Sequence, residues 1–382
     1  MVSGCPVEPV ILRFIGELFI PLYNVLYSVL NITGKEREVK INWIFVGIAF
    51  VSLLGAGTAK ARPLEDILQE KGVITEADSR EAKREKPLDY KLGKGFTFTA
   101  TDEKFQLSIG GRIQPRYTFT DFDVVSGTVQ DVSEWRVRRA KLYVGGYVYS
   151  KDLTYRVQAA LENGSSAKLL DDAYLNYRFA DALQIQAGQF KIPFTRQELI
   201  SDASLQFVDR SNAVDTFKPS YDFGAMFSGK FGNGLLVYNA GVFGGAGQST
   251  ARTTNTNALA ARLVVNPLGE VGYSEADLGR SDRPLLSLGG SYFRNSLKRS
   301  ATAVFESVTP SYAATTGWLG KGAATFGSTE VVDIDQFGVD AVFLWMGLSI
   351  QGEYLDGRAE GKTTGNTLRA RGFYVQAGFF LL

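Results

Sequence analysis

FQLSIGGRIQPRYTFT, residues 105–120, is the stretch on which the fold turns. Phe105, Leu107, Ile109, Ile113, Tyr117 and Phe119 fall on one face of an extended chain. Gln106, Ser108, Arg112, Gln114, Arg116, Thr118 and Thr120 fall on the other. Successive side chains of a strand point to opposite sides, so this period of two makes one face apolar and the other polar. The alternation lasts about 15 residues, against ~5–6 for an ordinary globular strand. A strand that long with one apolar face suits a sheet that crosses a bilayer, where lipid offers backbone groups no partner and each must pair within the sheet.

The same period recurs outward from this stretch. Leu153, Tyr155, Val157, Ala159 and Leu161 alternate with Thr154, Arg156, Gln158 and Glu162. Ala173 to Phe179, Leu183 to Ala187, Phe337 to Trp345, Leu348 to Tyr354 and Phe373 to Phe379 repeat it. Gly232-Asn233-Gly234 and Ser150-Lys151-Asp152 read as turns between the runs. Tyr117, Phe119, Tyr147, Tyr149, Tyr177, Phe179 and Tyr354 sit at strand ends, where aromatic girdles meet the membrane interface. A secreted β-rich binding or enzyme domain also alternates, but its strands are shorter and its wet face seldom repeats Arg.

Composition narrows the chemistry. The 382 residues include 41 Gly, 26 Phe and 17 Tyr but no His and a single Cys. Without His there is no Ser-His-Asp triad, no Cys-His pair and no His-ligated zinc. Cys5 alone forms no intramolecular disulfide. No catalytic residue, metal or cofactor is expected, and nothing suggests a nucleic-acid partner.

Four segments are expected. Lys35, Arg37 and Lys40 lead into the apolar run Ile44–Leu54 and the small-x-small triplet Ala59-Lys60-Ala61. Residues 39–61 therefore read as a signal peptide cleaved after Ala61; a single membrane anchor is the alternative. Residues 1–38 read as a leader assigned from too early a start, or else as an anchor helix. Residues 62–90 read as a short periplasmic helix or a solvated linker, with Thr75 as a candidate N-cap, and residues 91–382 as a transmembrane antiparallel β-barrel.

Trp135-Arg136-Val137-Arg138-Arg139-Ala140-Lys141-Leu142, Leu170-Asp171-Asp172-Ala173-Tyr174-Leu175-Asn176-Tyr177 and Gly188-Gln189-Phe190-Lys191-Ile192-Pro193-Phe194 resemble the phosphate-selective porin O and P family of bacterial outer membranes. Phe207-Val208-Asp209-Arg210-Ser211 and the stretch Gly372–Leu381 extend the likeness. The resemblance implies a barrel of about 16 strands, usually a homotrimer, with a loop folded inward to narrow the pore. It implies passive diffusion of small inorganic anions, phosphate or polyphosphate among them, across the outer membrane in contact with its lipid. About 13 strand-like runs are present, so the closing strands would lie beyond Leu382. A non-specific general porin is the alternative within the class.

An ion channel selects by the side chains that line it. The strand phases put Arg112, Arg116, Arg156 and Arg178 on the lumen side, with Arg139, Lys141 and Tyr143. Arg136 and Arg138 fall in the opposite phase, toward headgroups or loops. Residues 189–220, with Lys191, Arg196, Arg210 and Lys218, form the candidate constricting loop, anchored by Phe190, Pro193 and Phe194. The guanidinium fork suits oxyanions because it donates in parallel to two oxygens and stays charged. Beyond Ala61, however, basic and acidic residues balance, and Glu162, Asp172, Asp340 and Glu353 share the lumen phase. A field running from a basic wall to an acidic one is thus as consistent as an anion filter. Asp171 and Asp172 are expected to point to opposite faces, and the Gly-rich run 241–247 to form a flexible loop.

Overall fold

The computed structural model describes residues 71–73, 75, 88–91, 95–121, 131–163, 169–251, 255–302 and 304–381. The segments read as leader and signal peptide, and most of the 62–90 segment, lie outside these residues. The unit Met1–Glu76 contributes a turn at 71–73; all strands belong to the unit Ala77–Leu382.

Among the described residues, fourteen strands form one sheet in sequence order. They are β1 (Leu88–Lys91), β2 (Gly95–Thr99), β3 (Phe105–Thr120), β4 (Val132–Val148), β5 (Ser150–Ala160), β6 (Leu170–Ala180) and β7 (Leu183–Lys191). Then follow β8 (Tyr221–Phe231), β9 (Leu236–Phe243), β10 (Ala258–Val265), β11 (Leu285–Lys298), β12 (Val331–Trp345), β13 (Leu348–Gly361) and β14 (Thr367–Phe379). Each pairs antiparallel with the next. β1 begins inside the 62–90 segment. The turn expected at Ser150–Asp152 sits instead at Tyr149, with φ of 63°, and those three residues are in β5. The turn at Asn233 is as expected, with φ of 54°. Met346 and Gly347, both at positive φ, make the two-residue turn between β12 and β13 whose twist matches paired strands.

Burial follows the alternation in the inverted sense of a membrane sheet. Ile113 is 74% exposed, Phe373 74% and Val375 72%, whereas Gln336 on the other face is 0% exposed. On β12 the outward face is apolar from Phe337 to Trp345, matching the ~9–11 residues a spanning strand needs. Tyr292 pairs in register with Phe337 and Tyr354 with Phe373, the two aromatic pairs offset by two residues between β12 and β13, and together they end this apolar band. Past that row the polarity reverses. Asp333, Asp335, Asp356, Arg369 and Arg371 point outward, and Val332, Ile334, Leu355 and Ala359 point inward and are buried. The inner face turns apolar there because it meets packed loops instead of water.

Those loops form the main hydrophobic cluster. Ile192 to Ser220 joins β7 to β8 and contains α1 (Arg196–Leu199) and α2 (Asn212–Phe217). The connection from β11 to β12 contains α3 (Trp318–Lys321). Phe194, Phe217, Trp318, Leu319 and Phe326 bury themselves against Phe293, Ile334 and Leu355 of the wall. Phe217 stacks on Trp318 with ring centroids 5.8 Å apart. The Gly-rich run is packed as well: Gly245 donates its N–H to Asp222 and accepts from Asn295 Nδ2 at 2.9 Å. It is thus an anchored segment, not the flexible loop read from its composition.

Candidate functional site

The loop Ile192–Ser220 is held from two sides of the sheet. Thr195 caps α1 by accepting from the Glu198 N–H at 3.4 Å, and Ser211 caps α2 by accepting from the Val214 N–H at 3.2 Å. On β13, Glu353 accepts from the N–H groups of Arg196 and Gln197 at 2.8 and 2.7 Å, and from Tyr374 Oη at 2.9 Å. On β3 and β4, Arg112 pairs with Asp202, and Arg139 pairs with Asp202 at 2.9 Å and Asp209 at 3.2 Å. Arg116 also pairs with Asp209, and Arg138 reaches it at 3.0 Å. Strands from both ends of the strand order hold one loop, so the sheet curls around it. The connection 266–284, which starts from the opposite mouth, grips it too. Gly272 O accepts from Arg196 Nη2 at 2.7 Å, and Glu275 accepts from Gln197 Nε2 at 2.7 Å.

Two small cavities flank this loop. One of about 330 Å³ is lined by Arg112, Arg156, Asp172, Tyr174 and Asn239 among others. The second, about 220 Å³, is lined by Arg138, Arg139, Lys141, Arg210 and Lys218, with Glu162, Asp171 and Glu198. Lys191, Asp202 and Tyr221 line both and mark where they meet.

Most of the predicted cations converge here, each already engaged. Lys141 pairs with Asp171 at 2.7 Å and Glu162 at 2.8 Å. Arg156 pairs with Asp172 at 3.3 Å and lies over the Tyr143 ring at 4.8 Å. Lys191 donates to the carbonyls of Glu198 and Ile200. Arg210 and Lys218 both reach Glu198, at 3.2 and 3.4 Å, and Lys218 also reaches Asp215 at 2.8 Å. Burial pushes the Glu198 carboxyl up, but Arg210, Lys218 and Lys191 outweigh it and hold the group at about 2. Asp209 is likewise below its ordinary value: burial raises it, and Arg116, Arg138 and Arg139 overcome that.

Three predicted residues line neither cavity, the first of them Arg116, which pairs with Asp209 of the loop. Arg178 lies at the short-turn end of β6, paired with Asp152 at 2.8 Å and Asp181 at 3.5 Å, away from both cavities. Arg196 is buried under the loop, over the Tyr273 ring at 5.2 Å. Two phase assignments change because of β-bulges. The β3–β4 register shifts between Gln114 and Pro115, since Pro115 has no N–H for the ladder, and Arg138 is left as the extra residue. The phase therefore flips: Arg136 pairs in register with Arg116, and Arg138 turns to Asp209 instead of to headgroups. A second bulge opposite Gln158 leaves Asp171 unpaired in the ladder. Asp171 and Asp172 then face the same side, bound to Lys141 and Arg156 respectively. The acidic partners Glu198, Asp202 and Asp209 were not singled out from the sequence, although they stand between the basic residues of the same loop.

Long antiparallel strands, an apolar outer band and a polar interior narrowed by an inward loop are the features of an outer-membrane β-barrel of the porin class. The chain belongs to the family described as phosphate-selective porin O and P, whose pattern matches residues 108–382, and its place is the outer membrane. It is 25% identical over 276 residues to an uncharacterized protein of Aquifex aeolicus, across 62% of this chain and 63% of that one. It is 26% identical over 125 residues to Porin O of Pseudomonas aeruginosa, across 32% and 28%. The chain thus spans less than two thirds of the length of either relative. Among solved structures it is similar to OmpT, an outer-membrane protein of Vibrio cholerae in a trimer form, with 11% identity, 73% of each chain covered and a TM-score of 0.44. A loop-deletion mutant of that protein is similar at 10% identity, 72% and 89% covered, with a TM-score of 0.36.

Proposed function

We propose that this porin passes small inorganic anions, phosphate or other oxyanions among them, by passive diffusion. The observation that carries this reading is the cavity of about 220 Å³ on which Arg138, Arg139, Lys141, Lys191, Arg210 and Lys218 converge. Six cations meet four carboxylates there, Glu162, Asp171, Glu198 and Asp202, so the lining keeps a positive excess. An anion entering from bulk water meets preset donors that need no rearrangement, which lowers its barrier. Arg112 and Arg156 extend the cationic path through the adjoining cavity, and Arg116 holds the loop that shapes it. Cleavage after Ala61 and assembly as a homotrimer in contact with outer-membrane lipid belong to the same reading.

The second reading is a non-specific porin, and the pairing of nearly every cation with a carboxylate favours it. Planar bilayers separate the two. The anion reading expects a chloride-selective reversal potential in a KCl gradient and a chloride current blocked by added phosphate. A cation-selective potential would overturn it while leaving the channel intact, and a current insensitive to phosphate would favour the non-specific pore.

A further inference from the structure

Just beyond the aromatic pair Tyr354–Phe373, the outward face of β13 and β14 sets guanidiniums against one another. Arg358 pairs in register with Arg369, and Asp356 with Arg371. All three arginine side chains are more than half exposed. Like charges directly opposed on neighbouring strands repel. Asp356 accepts from Arg369 Nη2 at 2.8 Å and from Arg371 Nε at 2.9 Å, while Arg358 reaches Glu360 at 2.9 Å. Three cations thus share two carboxylates, and Arg371 donates through Nε alone, which leaves its Nη groups open among the described residues. On the apolar side of the same aromatic pair lies an open groove of about 750 Å³, lined by Leu288, Ala341, Ile350, Gly352, Phe373 and Val375 among others. Leu288, Ala341, Gly352 and Val375 form one cross-strand row, so the surface dips at the two small residues between the two large ones.

We propose that this face holds a phosphorylated lipid of the outer leaflet, with an acyl chain in the groove and a phosphate between Arg358, Arg369 and Arg371. The level is that of the outer headgroups. The connection from β11 to β12, which is long, lies at the guanidinium end, and the two-residue turn at Met346–Gly347 lies at the other. In barrels of this class the short turns face the periplasm and the long loops face outside. Charge complementarity selects the occupant. A phosphate placed between Arg358 and Arg369 turns their repulsion into two attractions, and the guanidinium fork donates in parallel to its oxygens. The spacing fits one amphiphile. Outward positions along a strand recur every ~7 Å, so Arg371 stands one step above Phe373 at the edge of the groove. A headgroup phosphate and the first methylenes of its acyl chain are separated by a similar length. The site depends on the outer-membrane placement of the chain and not on the selectivity of the pore.

The test titrates the detergent-solubilised full-length protein with lipid A, a bisphosphorylated and multiply acylated glucosamine disaccharide, and with the same lipid stripped of its phosphates. Native mass spectrometry reads the lipid retained at each concentration. The unaltered protein is expected to retain lipid A at about tenfold lower concentration than the stripped lipid. Arg369→Gln combined with Arg371→Gln is expected to bring the two lipids within about twofold. Asp356→Asn, which frees both guanidiniums, is expected to tighten lipid A by about threefold and leave the stripped lipid unchanged. Ala341→Phe fills the groove and is expected to weaken both lipids alike. Equal retention of the two lipids by the unaltered protein, or of neither, would overturn the proposal and needs no variant. So would a double variant that keeps the preference for lipid A. An Ala341→Phe protein that loses its oligomeric mass while retaining lipid as before would also overturn it, by assigning the groove to a contact between copies of the chain.

Discussion

Asp209 carries more of the site than any other single residue, because Arg116, Arg138 and Arg139 all terminate on it. Its replacement by Asn removes the charge and keeps the shape. Arg116 and Arg138 then present their charge to the bore while Arg139 keeps Asp202, and the chloride-over-cation permeability ratio is expected to rise several-fold, as charge on a pore wall dictates. The reversal potential in a KCl gradient measures this; a shift toward cations would contradict it. Glu198 gives a pH prediction of definite sign. Its carboxyl is held at about 2, below the ordinary 4.5. A depressed acid stabilises the fold above its ordinary value, and that stabilisation is lost as pH falls from 4.5 toward 2. The folded form should thus lose thermal resistance over that window, as read by circular dichroism on heating at each pH. Glu198→Gln should lack that contribution at every pH. An identical acid profile in the variant would contradict the assignment.

At the scale of elements, β10 to β12 show how a charge pair is built into a wall. Arg262 Nη1 lies 2.7 Å from Asp340, and both side chains are essentially unexposed. The pair passes diagonally over Gly289 of β11, where an added Cβ would collide with Asp340 Oδ2 and stand 2.7 Å from Arg262 Nη2. Removing one partner of a buried pair strands the other, so Arg262→Ala is expected to cost about 3–5 kcal/mol. Gly289→Ala is expected to destabilise in the same direction. Urea titration of the folded gel band reads both; a midpoint unchanged from the parent would refute the pairing. Elements are also where the sequence was most legible. The period of two located β3, β5 to β7 and β12 to β14 and assigned the inward phase of Arg112, Arg116 and Arg156. It failed where the ladder slips. Pro115 was the visible sign of a bulge, since a proline within a long strand has no N–H to pair. Reading it would have turned Arg138 inward. Nothing comparable marks the bulge at Asp171, which only the register reveals.

For the whole molecule, the account is an inverted sheet that curls around its own loop. The sequence expressed the outer band because lipid contact imposes a strict alternation. It expressed the inner plug poorly, because Phe194, Phe217 and Trp318 find Phe293 and Leu355 through contacts far apart in the chain. The cationic residues of the site were legible as types and phases. Of their carboxylate partners, Glu162 and Asp172 on the wall were legible by phase, but Glu198, Asp202 and Asp209 were not, since which loop acid meets which base depends on how the loop crosses the bore. Asp340 and Glu353, two of the acids read in the lumen phase, lie on the inner face, where Asp340 is matched by Arg262 and Glu353 by the N–H groups that start α1.

The central claim is that neighbouring side chains of one strand meet lipid and aqueous bore in turn. Ile113 and Gln114, adjacent on β3, test it most directly, since the first is strongly exposed outward and the second accepts from Arg139 Nη1 through its side-chain amide oxygen at 3.2 Å inside. Each is replaced by Cys in a Cys5→Ser background and treated in bilayers with a charged, water-soluble thiol reagent while current is recorded. The account predicts that Gln114→Cys reacts and the current falls, while Ile113→Cys reacts only with a lipid-soluble reagent. Rapid modification of Ile113→Cys by the charged reagent, with Gln114→Cys silent, would contradict it.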